Sequence, residues 1–383
     1  MNELVARIDK RLIAVLSICS ILLLGIGGYL LWLDTNPGAS ADDGNRGPSL
    51  SFFANATSEV IWEHYAIEAL SISEIAAVDN EKFLIGTDGA TLSSFDPISN
   101  TLETIHSEGR TNIIQTVLQQ DDDTWIGYVF TGLVHYGAAG MSVINIDSGL
   151  LSNSVSAVAV DANNQLWVGH AARGLGMSGG GLSYQVNGTW QTMQTFDGLG
   201  SNNVSDIEID RYGNVWVAVT DYTNYLGPQH GGLLKYDGSE WHVYGAAEGL
   251  ISSDVRSMTI TDNGDVWITT TSGVSMYRQG LWFNYNSTNG LASDFVLDIE
   301  SDTQGRVWAA TYAGVSVFDG ASWGTLTQAE GLQSDMVNAL AADENGGMLI
   351  ATQAGVSRIT VNIDMPEPTS VIYHYHLPMV ISE

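Results

Sequence analysis

The sequence predicts an all-β fold: a seven-bladed β-propeller closed by N- and C-terminal strands and preceded by one N-terminal transmembrane helix. Three observations carry this expectation. A Gly-Leu-x-Ser-x-x-Val run recurs at residues 149–155, 198–204, 249–255, 290–296 and 331–337. Large apolar residues follow the Asp/Gly turns at Leu84, Trp125, Trp167, Trp216, Trp267, Trp308 and Leu349, with spacings of 41, 42, 49, 51, 41 and 41 residues. Seven marks at that period fit units of four strands, each able to bury its faces only against its neighbours. Finally, residues 12–33 contain no charged side chain.

That apolar stretch comes first in the chain. As a helix its 22 residues would be about 33 Å long, enough to cross a hydrocarbon core of about 30 Å. Arg7, Lys10 and Arg11 precede it and the next basic residue is Arg46, so residues 1–11 are expected in the cytoplasm and the rest on the extracytoplasmic side. A cleaved signal peptide is the alternative, with Ala39-Ser40-Ala41 as a small-x-small cleavage site. Residues 34–58, rich in Gly, Ser, Asn, Asp and Pro, read as a flexible linker. Cys19, the single cysteine, lies in the apolar segment, so neither a disulfide framework nor a cysteine metal site is expected. The formal net charge of −30 argues against a nucleic-acid partner.

Residues 59–363 form the expected ring. Blade six shows the plan: an alternating inner strand at 296–300, a hairpin at Asp302-Thr303-Gln304-Gly305, strands at 307–310 and 314–318, a turn at Asp319-Gly320, and a fourth strand from Trp323. Ten tryptophans lie outside the apolar segment. Five take the second-strand mark, and Trp62, Trp190, Trp241, Trp282 and Trp323 take a fourth-strand mark, as packing rings between blades require. Trp62 precedes the first full repeat, whereas the repeat starting at Val337 lacks its own fourth strand. Residues 60–66 are therefore expected to complete that last blade and close the ring. Residues 364–383 form a tail too short and Pro-interrupted to span a membrane.

The run Gly249-Leu250-Ile251-Ser252-Ser253-Asp254-Val255, followed by Asp262, Gly264 and Trp267, resembles the two-component regulator propeller repeat, and the resemblance covers residues 59–361. It implies an extracytoplasmic sensor domain of the kind often fused to histidine kinases. This chain departs from that plan, with about eleven residues before the apolar segment and nothing resembling a kinase after the ring.

Blades three and four carry insertions between their second and third strands, at 170–180 and 221–230. In a propeller those connections share a face with the blade-to-blade connections, so the insertions should flank one mouth of the central channel. Insertions on one face often mark the binding face. The candidate ligand-binding residues are His170, Arg173, Asp221, Tyr222, Tyr225 and His230: the tyrosines for stacking on sugars or peptides, the others for polar contacts. Drifted loops without a ligand are the plain alternative. The Gly-Leu-x-Ser segments read as structure, with Leu plugged under a blade and Ser bonded to local backbone. Asp161, Asp210, Asp262, Asp302 and Asp343 read as turn formers, and Asp121-Asp122-Asp123 as a solvated turn rather than a calcium loop.

No catalytic motif appears, and neither a cofactor nor a metal is expected. The expected function is a membrane-tethered ligand-binding or sensor-like propeller, not an enzyme, recognising an extracellular glycan, peptide or protein. Two alternatives stand beside it. One is a protein-interaction scaffold; the other is a metal-dependent lyase-type propeller using His170, His230 and Asp221.

Overall fold

The computed structural model describes residues 59–362 apart from residues 66, 68–71, 79–81, 88–89, 100, 108–111, 172–179, 195–200, 225–226, 344 and 363 onward. The expected membrane helix, linker and tail all lie outside the described residues. No helix among the described residues is long and apolar enough to cross a membrane.

Seven four-stranded antiparallel sheets follow one another. The inner strands are Ile72–Ala77, Ile114–Gln120, Val155–Val160, Asn203–Ile209, Val255–Ile260, Val296–Ser301 and Val337–Ala342. The seventh sheet is the seam. Its second and third strands are Gly347–Thr352 and Gly355–Asn362, and its outer strand is the N-terminal Glu59–Tyr65, with Glu59 opposite Asn362 and Tyr65 opposite Val356. Arg358 ties the seam electrostatically, reaching Glu63 at 2.8 Å and Asp343 at 2.6 Å. Ring closure by both ends of the described chain is as expected.

The core is divided between blades rather than pooled. Seven buried apolar clusters each join two adjacent blades; the one at the seam sets Ile72, Phe83 and Phe95 of blade one against Ala339, Leu349 and Val356 of blade seven. Trp167, Trp216, Trp267 and Trp308 are buried within these clusters. Trp125 is half-buried, its ring stacked on His135 at 3.8 Å.

The Gly-Leu-x-Ser segments are structural. Leu150, Leu250, Leu291 and Leu332 are all buried. Ser152, Ser252, Ser293 and Ser334 each accept the backbone N–H two residues on. Gly290 has φ 128°, and a Cβ there would lie 2.9 Å from Trp323 of the blade that follows. Gly331 meets Trp62 in the same way, so the seam repeats the packing of the other blades. Asp161, Asp210, Asp302 and Asp343 close the inner hairpins by accepting two backbone N–H groups each. Asp262 does not. Thr261 takes that register position, and Asn263 accepts the N–H of Asp265.

One expectation fails in detail. The inner strand of blade six does not alternate: Val296 and Ile299 are buried, while Leu297 and Asp298 between them both leave the core. Every inner strand has the same irregularity, a register shift of β-bulge type between Ile72/Glu74, Ile114/Thr116, Val155/Ala157, Val204/Asp206, Val255/Met258, Val296/Asp298 and Val337/Ala339. An extra residue on one strand turns two consecutive side chains to the same side and leaves local backbone groups without ladder partners.

Candidate functional site

The repeated bulge shapes the central channel. The bulged residues Ser73, Gln115, Ser156, Ser205, Arg256, Leu297 and Asn338 form a ring at one mouth, and the next residue of each strand forms a second ring holding Glu74, Thr116, Asp206, Ser257, Asp298 and Ala339. A cavity of about 240 Å³ lies within these two rings. Two residues further along their strands, Glu208 and Glu300 line a continuing space of about 290 Å³ shared with Glu74, Asp206 and Asp298.

The five carboxylates differ in what they do. Asp206 accepts the N–H of Ile207 at 2.8 Å and that of Met258, in the next blade, at 2.7 Å. Asp298 accepts from Ile299, from Ser257 Oγ, and from Leu340 of the next blade at 2.8 Å. These two aspartates thus staple blade four to five and six to seven through N–H groups just past the bulges. Glu74 and Glu300 have no hydrogen-bond partner among the described residues. Burial pushes all five upward in pKa: Asp206 to about 7 against the pull of its two backbone donors, and Glu208 to about 8 with a further push from Asp206. Asp298 is raised by burial against its donors. Glu74 and Glu300 stand well above the ordinary carboxylate range, through burial first and neighbouring carboxylates second.

On the mouth side, the second-to-third-strand connections meet the blade-to-blade connections. Ser201 N–H donates to His230 O at 3.0 Å, and Asn202 Nδ2 donates to Gly180 O at 3.2 Å, so both insertions abut one connection. Asp221 anchors the blade-four insertion. Its carboxylate accepts Gly231 N–H at 2.6 Å and Ser253 Oγ–H at 3.1 Å and lies 3.2 Å from His230 Nδ1. Its own N–H donates to Asp254, whose other oxygen holds Arg256 at 2.9 Å. Arg256 sits over the Phe295 ring at 5.1 Å, and Phe295 stacks on Tyr312 at 5.8 Å. A continuous run of contacts therefore leads from the insertion to the channel mouth. Tyr312 is 50% exposed and Phe130, on the blade-two connection, 64% exposed.

The six sequence-predicted residues fare differently. Asp221 and His230 come together. Tyr222 opens an unexpected hairpin, Tyr222–Asn224 paired with Gly227–Gln229. Arg173 and Tyr225 lie outside the described residues. His170 is fully enclosed. Its Nε2 lies 2.7 Å from Ser183 Oγ and its Nδ1 3.2 Å from the Ser154 carbonyl. A carbonyl only accepts, so Nδ1 carries the proton, and burial lowers the pKa to about 4, keeping the ring neutral. His170 takes the register position that Thr270, Thr311 and Thr352 take in other blades. It is part of the blade and offers no surface to a ligand. Sequence reasoning missed Arg256, Phe295, Tyr312 and the channel acids. The signal available for the acids was apolar spacing of three, rather than two, along each inner strand.

Among the described residues one group of three metal-type donors converges, Asp237, Glu240 and His242. Asp237 Oδ1 accepts from Ser239 and Glu240 and Oδ2 lies 3.1 Å from His242, an exposed hairpin turn held by its own carboxylate.

A ring of seven four-stranded blades with a bulge-lined acidic channel and an aromatic rim defines the molecule as a β-propeller. The two component regulator propeller model matches residues 149–172 and 198–221, within the third and fourth repeats. No curated protein sequence matches the chain. Solved structures share the fold at low identity. A streptogramin B lyase aligns with a TM-score of 0.61 at 10% identity, over 79% of this chain and 98% of the lyase. Virginiamycin B lyase from Staphylococcus aureus gives 0.60 at 9% identity, over 79% and 99%. YCF48 bound to D1 peptide gives 0.57 at 15% identity, over 84% and 100%.

Proposed function

We propose that this chain is a membrane-tethered, extracytoplasmic ligand-binding propeller of sensor type, and that it works by recognition rather than catalysis. The observation that carries this reading is the unbroken run His230–Asp221–Asp254–Arg256–Phe295–Tyr312 on one face. Polar groups held by one another and ending in exposed rings suit recognition of a glycan or peptide, because little ordering remains to be done on binding. The tether is supported by the uncharged stretch 12–33 behind Arg7, Lys10 and Arg11. The lyase alternative loses His170, which is enclosed, and keeps only the exposed pair His230 and Asp221.

The test is the melting temperature of the full chain, in detergent, against oligosaccharide and peptide panels. A ligand at about 100 times its Kd stabilises the folded state by about 2.7 kcal/mol. A shift that disappears in Tyr312→Ala and Asp221→Asn supports the reading, whereas a shift unaffected by both removes this face from it.

A scaffold role is the second reading. Leu102 and Met141 take the register position of the outer tryptophans in blades one and two and are 48% and 55% exposed, which leaves two neighbouring outer strands with apolar side chains at the surface. Crosslinked capture lost on Leu102→Lys with Met141→Lys, and kept in Tyr312→Ala, would favour it.

A further inference from the structure

We infer that the central channel is a receptor for an organic cation, an alkylammonium or guanidinium group, inserted from the aromatic rim into the space between Glu74 and Glu300. This deepens the preceding reading and rests on the same face being the binding face.

Four observations carry it. Glu74 and Glu300 line the same stretch of the lumen and have no hydrogen-bond donor among the described residues. Asp206 and Asp298, by contrast, are already engaged with backbone N–H groups of the next blade. A half-buried carboxylate without a protein donor is partly desolvated, and a cation of the right size compensates that loss. Secondly, Ser73 Oγ, on the same wall, is wholly enclosed and has no partner. The corresponding Ser156 and Ser205 each donate to the carbonyl of the next inner strand, so the free hydroxyl is specific to the wall that also carries Glu74.

Thirdly, the charge of the lumen is not met from within. Arg256 is the basic residue of the mouth ring, and its guanidinium is turned to Asp254 and the Phe295 face. Lastly, the carboxylates are not gathered as a metal cage. Among the described residues the group with three donors in mutual reach is the Asp237 hairpin, elsewhere on the surface. A space of about 290 Å³ with dispersed oxygens suits a bulky cation with several N–H donors better than a bare divalent ion. Entry of a cation would favour the ionised carboxylates, so binding should release protons and tighten as pH rises from 6 to 8.

The cation can arrive free or on a peptide side chain, and the experiment separates these sources. Melting temperatures of the full chain in detergent are recorded at pH 7.5 with four probes at matched ionic strength. The probes are n-butylammonium, an acetylated and amidated pentapeptide with one central lysine, the same peptide with norleucine in its place, and calcium chloride. A rise of a few degrees with the lysine peptide, absent with norleucine, supports the proposal. An equal rise with butylammonium assigns the free amine as sufficient, and a rise confined to the peptide assigns the peptide as the source.

Glu74→Gln and Glu300→Gln should each lower lysine-peptide affinity at least tenfold while folding normally, since they remove an unpartnered charge. Retained affinity in both variants overturns the inference. So does an equal shift with norleucine, or with calcium alone, which would mark general screening of the acidic surface. Failure here is distinguishable from failure of the broader reading: panel ligands lost in Tyr312→Ala but kept in Glu74→Gln and Glu300→Gln would uphold the face and reject the channel.

Discussion

Replacing Glu208 by glutamine should stabilise the ring at alkaline pH and leave it nearly unchanged near pH 5. Burial and the neighbouring Asp206 lift Glu208 from 4.5 to about 8 in the folded protein. A carboxyl whose pKa is raised on folding binds more protons in the folded state. Its penalty is therefore absent below the unfolded pKa and grows as pH climbs through 4.5 towards 8. At about 1.36 kcal/mol per unit, the full shift sets a ceiling of about 5 kcal/mol at pH 8.5. The side chain faces a lumen rather than packed core, and an effective dielectric of about 20 reduces this, so a gain of about 2 to 3 kcal/mol is expected from Glu208→Gln.

The assay is reversible denaturation of the wild type and the variant at pH 5.5, 7.0 and 8.5 at constant ionic strength. In a chain of this size each kcal/mol moves Tm by about 2 °C, so the variant should melt about 4 to 6 °C higher at pH 8.5. Burial raises Asp206 to about 7 and Glu208 to about 8, so a loss of wild-type stability between pH 7.0 and 8.5 reports the channel. A wild type as stable at pH 8.5 as at pH 7.0, or a variant with the same pH slope as the wild type, would refute the reasoning.

The acid side should report a different residue. His170 is held neutral by burial, with a pKa of about 4, so wild-type stability should fall as pH drops from 6.5 towards 4, where the unfolded chain takes up the proton first. His170→Thr, the residue used at that register in other blades, should flatten this slope without altering binding on the aromatic face, as seen in paired melts and titrations. Gly290→Ala should cost about 2 to 4 kcal/mol, because φ is 128° and the added Cβ would press on Trp323; an effect below about 1 kcal/mol in urea unfolding would contradict that packing. Trp62→Ala should cost about 3 to 5 kcal/mol and raise the hydrogen-exchange rate of the 355–362 strand, since Trp62 completes the cluster between blades six and seven.

The ring was legible because its two strongest signals are chemically unambiguous. A tryptophan at a fixed register cannot be left in water at every repeat, and Trp62 outside its own repeat had only one partner available, the blade beginning at Val337. Leu150, Leu250, Leu291 and Leu332 and the aspartates of the inner hairpins were readable for the same reason, Asp262 excepted, where Thr261 and Asn263 share the turn. The site was less legible. His170 looked like an insertion residue because the chain lengthens just after it, yet it is the last residue of the Leu166–His170 strand. Arg256, Phe295 and Tyr312 belong to three separate positions in two blades, and only closure of the ring stacks them.

The channel acids were hidden by a assumption about period. In Asn203–Ile209 a strict alternation would put Val204 and Asp206 on one face and Ser205 and Ile207 on the other. The bulge instead buries Val204 and Ile207 and turns Ser205 and Asp206 into the lumen. The apolar pair three residues apart recurs as Ile72 and Ile75, Ile114 and Val117, Val155 and Val158, Val255 and Met258, Val296 and Ile299, and Val337 and Leu340. The shared bulge leaves the N–H groups of Ile207, Met258, Ile299 and Leu340 beside the channel, and an aspartate there can bind the next blade. Asp206 and Asp298 do so. Glu74 stands at the same register with a longer side chain and makes no such bond, so its carboxylate is left to the lumen. One backbone device thus yields two kinds of acid, one joining blades and one facing the channel, and the second kind is where recognition of a cation would act.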